Sequence, residues 1–587
     1  MAAAAWWNLR RADPPAKPSS GRIAKNGAPG VPPHRQSASS SRPNVLLISL
    51  DTVRADHLGC LGYQKPITPN LDRFAQRSVL FSNCRSQAPW TLPSHMSLLT
   101  SMLPSHNGVD NLNKVLTADV ATLTEILQQE GYRTAALVNN GQMKAHWGFA
   151  RGFDMWREFE VDTPESNCES ITVAALDWLR ARQTDKPFFL FLHYYDAHDP
   201  YEAPEAYRQL VGARLSGEQS RAICTAHRTP ERNLADPRLK DVIAAYDAEL
   251  AWLDHELGRL LAHVPPDTVI VIFSDHGEAF EEHGWMLHGA TLYEEEIHVP
   301  LIVRLPEGHK GRIVNEPVML LDVAPTVLAL CGVQPPLQFQ GTDLEPLWQG
   351  RPLRRRLIPS EAKAVLEGRL TLSVVLYPLK ATYSLFDGQF ELYKLPDEQT
   401  NLAERERAAT DAMFKPLREW IQSEQFWMVH AAGSGDFEAT LRSPEPFSLF
   451  IPVGLEQDRD NFEVADEGRT IRWHVYPRSA DRPKSLFLQT SRPDAPLQAD
   501  FAINGQHSTK MVFLGKDRQH PSQLPVSIPP SIPPVDPLIQ KPLATDKPGF
   551  YVFRHQSSAG GQTAKPGKVE SLDEQTIRQL KSLGYLQ

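Results

Sequence analysis

Val45-Leu-Leu-Ile-Ser-Leu50 is a continuous apolar run closed by Asp51, and Thr268-Val-Ile-Val-Ile-Phe273 repeats the pattern, followed by Ser274, Asp275 and His276. Short apolar runs without polar alternation suit strands covered on both faces, as in a parallel sheet. Thr134–Val138 and Pro187-Phe-Phe-Leu-Phe-Leu192 read the same way. Helical stretches separate them: Ile67–Ser78, opened by Thr68-Pro69; Ala121–Gln129, stopped by Gly131; Ser170–Arg182; and the long amphipathic Lys240–His263. Strands alternating with helices predict an α/β fold, a mostly parallel sheet sandwiched by helices.

In such sheets ligands collect beyond the carboxyl ends of the strands. Asp51 ends one run, and Asp275 with His276 ends another. One such acid is an ordinary cap or turn residue. Two acids and an imidazole at two strand ends point to a divalent cation, and the mixed oxygen and nitrogen donors suit zinc or manganese. In Ser86-Gln-Ala-Pro-Trp-Thr-Leu-Pro-Ser-His95, Thr91 is expected at a helix N-cap with Pro93 in the first turn. A good cap is the plain role. A hydroxyl at a helix N-terminus, which favours anions, can also serve as a nucleophile beside a cation. His95 lies one helical turn further on the same face. Tyr194-Tyr-Asp-Ala-His-Asp-Pro-Tyr201 contributes Asp196 and His198, and Met286-Leu-His-Gly-Ala-Thr-Leu-Tyr293 contributes His288.

The 587 residues, 41 % hydrophobic and 22 % charged, exceed one core and exclude a globally disordered or fibrous chain. A net charge of −9 argues against nucleic acid as a partner. The five cysteines, Cys60, Cys84, Cys168, Cys224 and Cys331, form no CxxC and no disulfide framework. The expected division is a disordered tail over 1–42, a catalytic α/β domain over 43–345 and a small antiparallel subdomain over 346–430. A β-sandwich-like module over 431–520, a Pro-rich linker over 521–570 and a terminal helix over 571–587 follow. No run of about 20 apolar residues predicts a transmembrane helix, and the Arg10–Arg11 pair sits after the short AAAAWW segment, not ahead of an apolar stretch. A soluble, cytoplasmic protein is the default expectation, with export left open.

The ordered set of segments resembles the sulfatase family of the alkaline phosphatase superfamily. The resemblance rests on Arg42-Pro-Asn-Val-Leu-Leu-Ile-Ser-Leu-Asp51, Thr68-Pro-Asn-Leu-Asp72, Pro93-Ser-His-Met-Ser-Leu-Leu-Thr100, Phe273-Ser-Asp-His-Gly-Glu278, His298-Val-Pro-Leu301 and Asp322-Val-Ala-Pro-Thr326. It covers roughly residues 42–425 and stops before the β-rich region. It implies a large α/β domain, a smaller C-terminal sheet and a metal-bound nucleophile. On that resemblance Asp51, Asp275 and His276 are metal ligands, and Thr91 is both nucleophile and ligand. His198 and His288 fall where relatives hold the leaving group and the anionic oxygens. His95 stands where sulfatases have an Arg that fixes the nucleophile, and Asn139, Asn140 and Asp196 fall near substrate.

Position 91 departs from the family pattern. Sulfatases carry a Cys or Ser there that becomes formylglycine, and a threonine cannot be so converted. The familiar Asp-Asp and Asp-Asn pairs are Asp51-Thr52 and Asp275-His276 here, which favours zinc or manganese over calcium, although calcium stays open. A threonine phosphate is readily hydrolysed, whereas formylglycine expels sulfate by an elimination that threonine cannot perform. The expectation is therefore a metal-dependent hydrolase of a small anionic ester, phosphate or phosphonate ahead of sulfate, using one cation. A second ion would need Asp196, His198 and His288, and the Asp-x-x-x-His spacing for it is missing. A phospho-alcohol transferase and a non-catalytic glycan- or partner-binding relative are the alternatives.

Overall fold

A computed structural model of the chain describes residues 42–112, 114–139, 142–160, 167–228, 236–306, 311–353, 356–364, 369–384, 390–406, 409, 410, 413, 417, 426–453, 460–477, 484–490, 495–507, 510–513, 516–519, 526–528, 549–555 and 568–569. The expected N-terminal tail, apart from Arg42, and the expected terminal helix lie outside these residues, as does Asn140.

The apolar runs form the middle of a nine-stranded sheet. Its order is Arg312–Val314, Val79–Arg85, His298–Arg304, Thr268–Ser274, Asn44–Leu50, Phe188–Tyr194, Arg133–Val138 and Met155–Glu158, with Val318–Met319 also paired to Val79–Arg85. Only His298–Arg304 runs antiparallel to its neighbours. Successive side chains of a strand point to opposite faces, and both faces are covered here. Val45, Leu47, Val269, Val271 and Phe273 join the core under the helices Thr91–Thr100, Leu123–Gln129 and Val323–Leu330. Leu46, Ile48, Leu50, Ile270 and Ile272 join the core under Pro69–Ala75, Cys168–Ala181 and Leu239–Leu261. That two-sided burial is why these strands show no polar alternation.

A four-stranded antiparallel sheet follows, Ile358–Ala364, Arg369–Leu376, Leu379–Ser384 and Phe390–Lys394. Beyond it, two six-stranded sheets enclose a separate core of Trp427, Phe437, Trp473, Phe501 and Phe550. Their strands reach outside the span expected for the β-module. Phe426–Ala432 opens the first sheet, and Gly549–His555 pairs along its whole length. Val526–Ile528 pairs with Leu497–Ile503, and Lys568–Val569 with Lys114–Val115. These strands correct the reading of 521–570 as linker throughout. The prolines of 521–548 dominate its composition and mask the apolar stretch beyond them, whose Phe550 and Val552 join the sandwich core.

Candidate active site

Register assembles the site. Leu50 pairs with Tyr194 on one side and Ser274 on the other. Three neighbouring strands therefore end at one level, where Asp51, the 195–201 segment and Asp275-His276 emerge together. Thr52 turns the chain away at once, with φ 58, and its hydroxyl donates to Ala197 O at 2.6 Å. A left-handed threonine is uncommon and marks a constrained turn at a strand end.

Thr91 is the first residue of its helix, and the cap position belongs to Trp90, whose side chain makes no capping bond. This corrects the expected N-cap. The Thr91 hydroxyl, released from capping, lies 3.5 Å from Asp51 Oδ2 and 3.3 Å from His276 Nε2. Ser94 ties the helix to the second strand end by donating to Asp275 O at 2.7 Å. His95 braces the same turn from behind: Nδ1 donates to Thr91 O at 2.9 Å, and Nε2 meets Ser49 Oγ at 2.8 Å. Thr91 O can only accept, so Nδ1 carries the proton and the Ser49 hydroxyl can donate to Nε2. His95 is satisfied as a neutral ring, and its burial holds its pKa well below the usual histidine range.

Asp51, Asp275 and His276 are fully buried and offer one donor atom each within 4.8 Å of the others. Nδ1 of His276 faces Gly277 O at 3.0 Å, which leaves Nε2 to face Asp275 Oδ2 at 3.3 Å and Asp51 Oδ1 at 3.5 Å. Burial raises the Asp275 carboxyl well above the usual range, and the Asp51 charge adds to it. Burial acts on Asp51 too, but His193, His276 and His198 outweigh it and hold that carboxyl low. His276 is pushed down to about 3, chiefly by burial. Two carboxyl groups and an imidazole nitrogen therefore converge in one buried cluster. The 3.3–3.5 Å spacings among Asp51, Thr91, Asp275 and His276 match the edge of a tetrahedral ligand set with bonds of about 2.0–2.1 Å, roughly 3.4 Å. The donor set fits a divalent cation.

His288 and His198 flank this cluster. The His288 ring centroid is 4.4 Å from that of His276 and 4.9 Å from that of His198. Nδ1 of His198 donates to Asp199 O at 2.7 Å, and Nδ1 of His288 meets Glu278 Oε1 at 2.8 Å. Glu278 also accepts from Tyr201 at 3.1 Å. Burial pushes His288 down to about 4 and Glu278 up to about 8. These bonds fix the orientation of both rings beside the cluster.

Asp196 is not part of this gathering. Its Oδ1 accepts from Cys168 N at 2.7 Å, at the start of the helix Cys168–Ala181, and burial raises its carboxyl to about 6. It steadies a helix N-terminus, which corrects its expected place beside substrate. Asn139 follows the strand Arg133–Val138, and its carbonyl accepts from His193 Nδ1 at 3.2 Å. Sequence reasoning missed His193, whose Nε2 lies 3.3 Å from Asp51 Oδ2, and also missed Ser49, Glu278 and Tyr201. The signal for His193 was its place in the strand, opposite Ser49 and Val138, once the strand is carried through Tyr194.

A sequence model of the Sulfatase family matches residues 43–333. An N-acetylglucosamine-6-O-sulfatase of Bacteroides thetaiotaomicron is 25 % identical over 401 residues, 53 % of this chain and 72 % of that protein. An arylsulfatase of Clostridium perfringens is 24 % identical over 382 residues, 53 % of this chain and 79 % of that one. Among solved structures, the phosphonate monoester hydrolase of Agrobacterium radiobacter superposes with a TM-score of 0.55 at 21 % identity, covering 64 % of this chain and 95 % of its own. That likeness carries the fold. Through its 43–333 domain, the strand-end acids and the helix that presents Thr91, the chain belongs to the sulfatase family of the alkaline phosphatase superfamily and is an ester-hydrolysing enzyme.

Proposed function

We propose that the enzyme hydrolyses a small phosphate or phosphonate ester through a covalent intermediate on Thr91. The observation that carries this reading is the Thr91 hydroxyl set 3.3 Å from His276 Nε2 and 3.5 Å from Asp51 Oδ2, at the first turn of a buried helix. Asp51, Thr91, Asp275 and His276 would hold one divalent cation, zinc or manganese by donor chemistry, which when bound acidifies a hydroxyl and offsets oxyanion charge. Thr91 Oγ1 forms a bond to phosphorus as the bond to the leaving group breaks. The Thr91 proton passes to the His198–His288 pair, which Glu278 and Asp199 O orient, and from there to the leaving oxygen. Water then attacks the same phosphorus, the bond from Thr91 Oγ1 to phosphorus breaks, and one proton of the water returns to Thr91 Oγ1. His95 keeps the first turn of the helix in place through Thr91 O.

A sulfate ester is the second reading, favoured by the sulfatases among the relatives. The test is turnover of paired aryl phosphodiester, aryl phosphonate and aryl sulfate substrates by the zinc- or manganese-loaded chain, with mass spectrometry of the Thr91 peptide. A phosphorus-containing adduct is expected, together with a loss on the order of 10³-fold or more for Thr91→Ala. A sulfuryl adduct and sulfate-only turnover would select the second reading. An active Thr91→Ala enzyme with no adduct would remove Thr91 from the chemistry.

A further inference from the structure

His193 is fully buried in the middle of the large sheet, and none of the roles above uses it. Its Nδ1 faces Asn139 O at 3.2 Å, an atom that can only accept, so the ring proton belongs on Nδ1. Nε2 is then turned toward the strand ends, 3.3 Å from Asp51 Oδ2, and makes no hydrogen bond among the described residues. An imidazole nitrogen this close to a buried carboxylate oxygen needs a proton or a cation between them. His95 shows the contrast: its second nitrogen meets a hydroxyl that can donate. The situation of His193 is that of His276, whose Nδ1 is also held by a carbonyl and whose Nε2 also points at the carboxylates. The 3.3 Å spacing from Nε2 to Asp51 Oδ2 again equals the edge of a ligand set. His193 further falls with Asp275 and His95 in a group whose donor atoms lie within 4.8 Å of one another. Both His95 nitrogens are engaged elsewhere, which leaves His193 and Asp275 as the usable donors of that group.

We propose that His193 is a cation ligand, donating through Nε2 beside Asp51 Oδ2, with the Asn139 carbonyl fixing its tautomer. The proposal rests on the reading of Asp51, Asp275 and His276 as a cation site and adds a second imidazole to it. Two imidazoles with two carboxylates favour zinc, manganese or cobalt over calcium more strongly than one does.

The experiment uses the full chain, stripped by chelator and reloaded with zinc, then with cobalt(II). X-ray absorption of the zinc form is expected to count two coordinated imidazoles per chain, and this measurement needs no variant. His193→Ala is expected to lower the count to one, to weaken zinc binding at least about ten-fold in competition with a fluorescent chelator, and to change the visible spectrum of the cobalt form. Thermal unfolding in chelator, where the cation contributes nothing, checks that the variant folds. One imidazole per chain in the wild type, or equal affinity and spectrum in the variant, would overturn the assignment of His193. A wild-type chain that retains no divalent cation would instead bring down the cation reading itself.

Discussion

Glu278 is buried between Tyr201 and His288, and its two oxygens serve one partner each. Replacing it with glutamine keeps the shape and an acceptor for His288 while removing the carboxyl group that could take on charge as the ring gains a proton. Glu278→Gln is therefore expected to fold normally and to lower kcat by about ten- to hundred-fold, with less change in KM. The loss should grow as the leaving group becomes a poorer one. Equal losses for good and poor leaving groups would show that Glu278 does not act through His288. At this scale the acids were legible because two acids and an imidazole close two apolar runs together, which single cap or turn residues do not explain. His193 was not, because a histidine inside a buried strand looks like any core residue until register shows what stands beside it. Asp196 misled for the opposite reason: it sits among the right neighbours in sequence, but its side chain turns to an amide at the start of the preceding helix.

The turn after the strand Thr268–Ser274 works only with glycine at 277. A Cβ there would lie 2.0 Å from Glu295 O, while Gly277 N donates to Glu296 O at 2.8 Å and Gly277 O receives His276 Nδ1. Gly277→Ala must push the Glu294–Ile297 turn away and drag the His276 ring with it. We expect a loss of about 1–3 kcal/mol, read by chemical unfolding, together with weaker zinc retention; unchanged stability would show that the turn yields freely. The helices and strands themselves were legible from their periodicity, with ends displaced by a few residues. The start of the Thr91 helix was not, because an extended tryptophan holding the cap position leaves no mark in the sequence.

The large sheet and the four-stranded sheet are joined by buried charges. Lys380 lies 3.0 Å from Glu294 and 2.6 Å from Glu398, and Arg85 lies 2.6 Å from Glu294. His283 adds a titrating contact, with Nδ1 on Glu295 at 2.8 Å and Nε2 on Glu398 O at 3.0 Å. Burial alone would lower its pKa, but the Glu295 and Glu398 contacts raise it from 6.5 to about 9. A raised folded-state value means that the contact stabilises fully below about pH 6.5 and is lost as pH rises through about 9. The melting temperature of the wild type should therefore exceed that of His283→Gln at pH 6, and the gap should narrow by pH 9.5. A gap independent of pH would mean that the histidine is neutral throughout. The domain layout was only partly legible. Proline content separates segments well, but it says nothing about a strand that returns beyond the prolines to complete a sheet begun long before. That return has a consequence for how the sandwich is attached. Phe426 pairs with His555 and Ala432 with Gly549, so the first and last strands of the module lie side by side, and its two ends stand about 5 Å apart. Among the described strands, the chain comes into the sandwich and leaves it through one doorway. The sandwich therefore has the connectivity of a cassette, both of whose ends a single short loop could join.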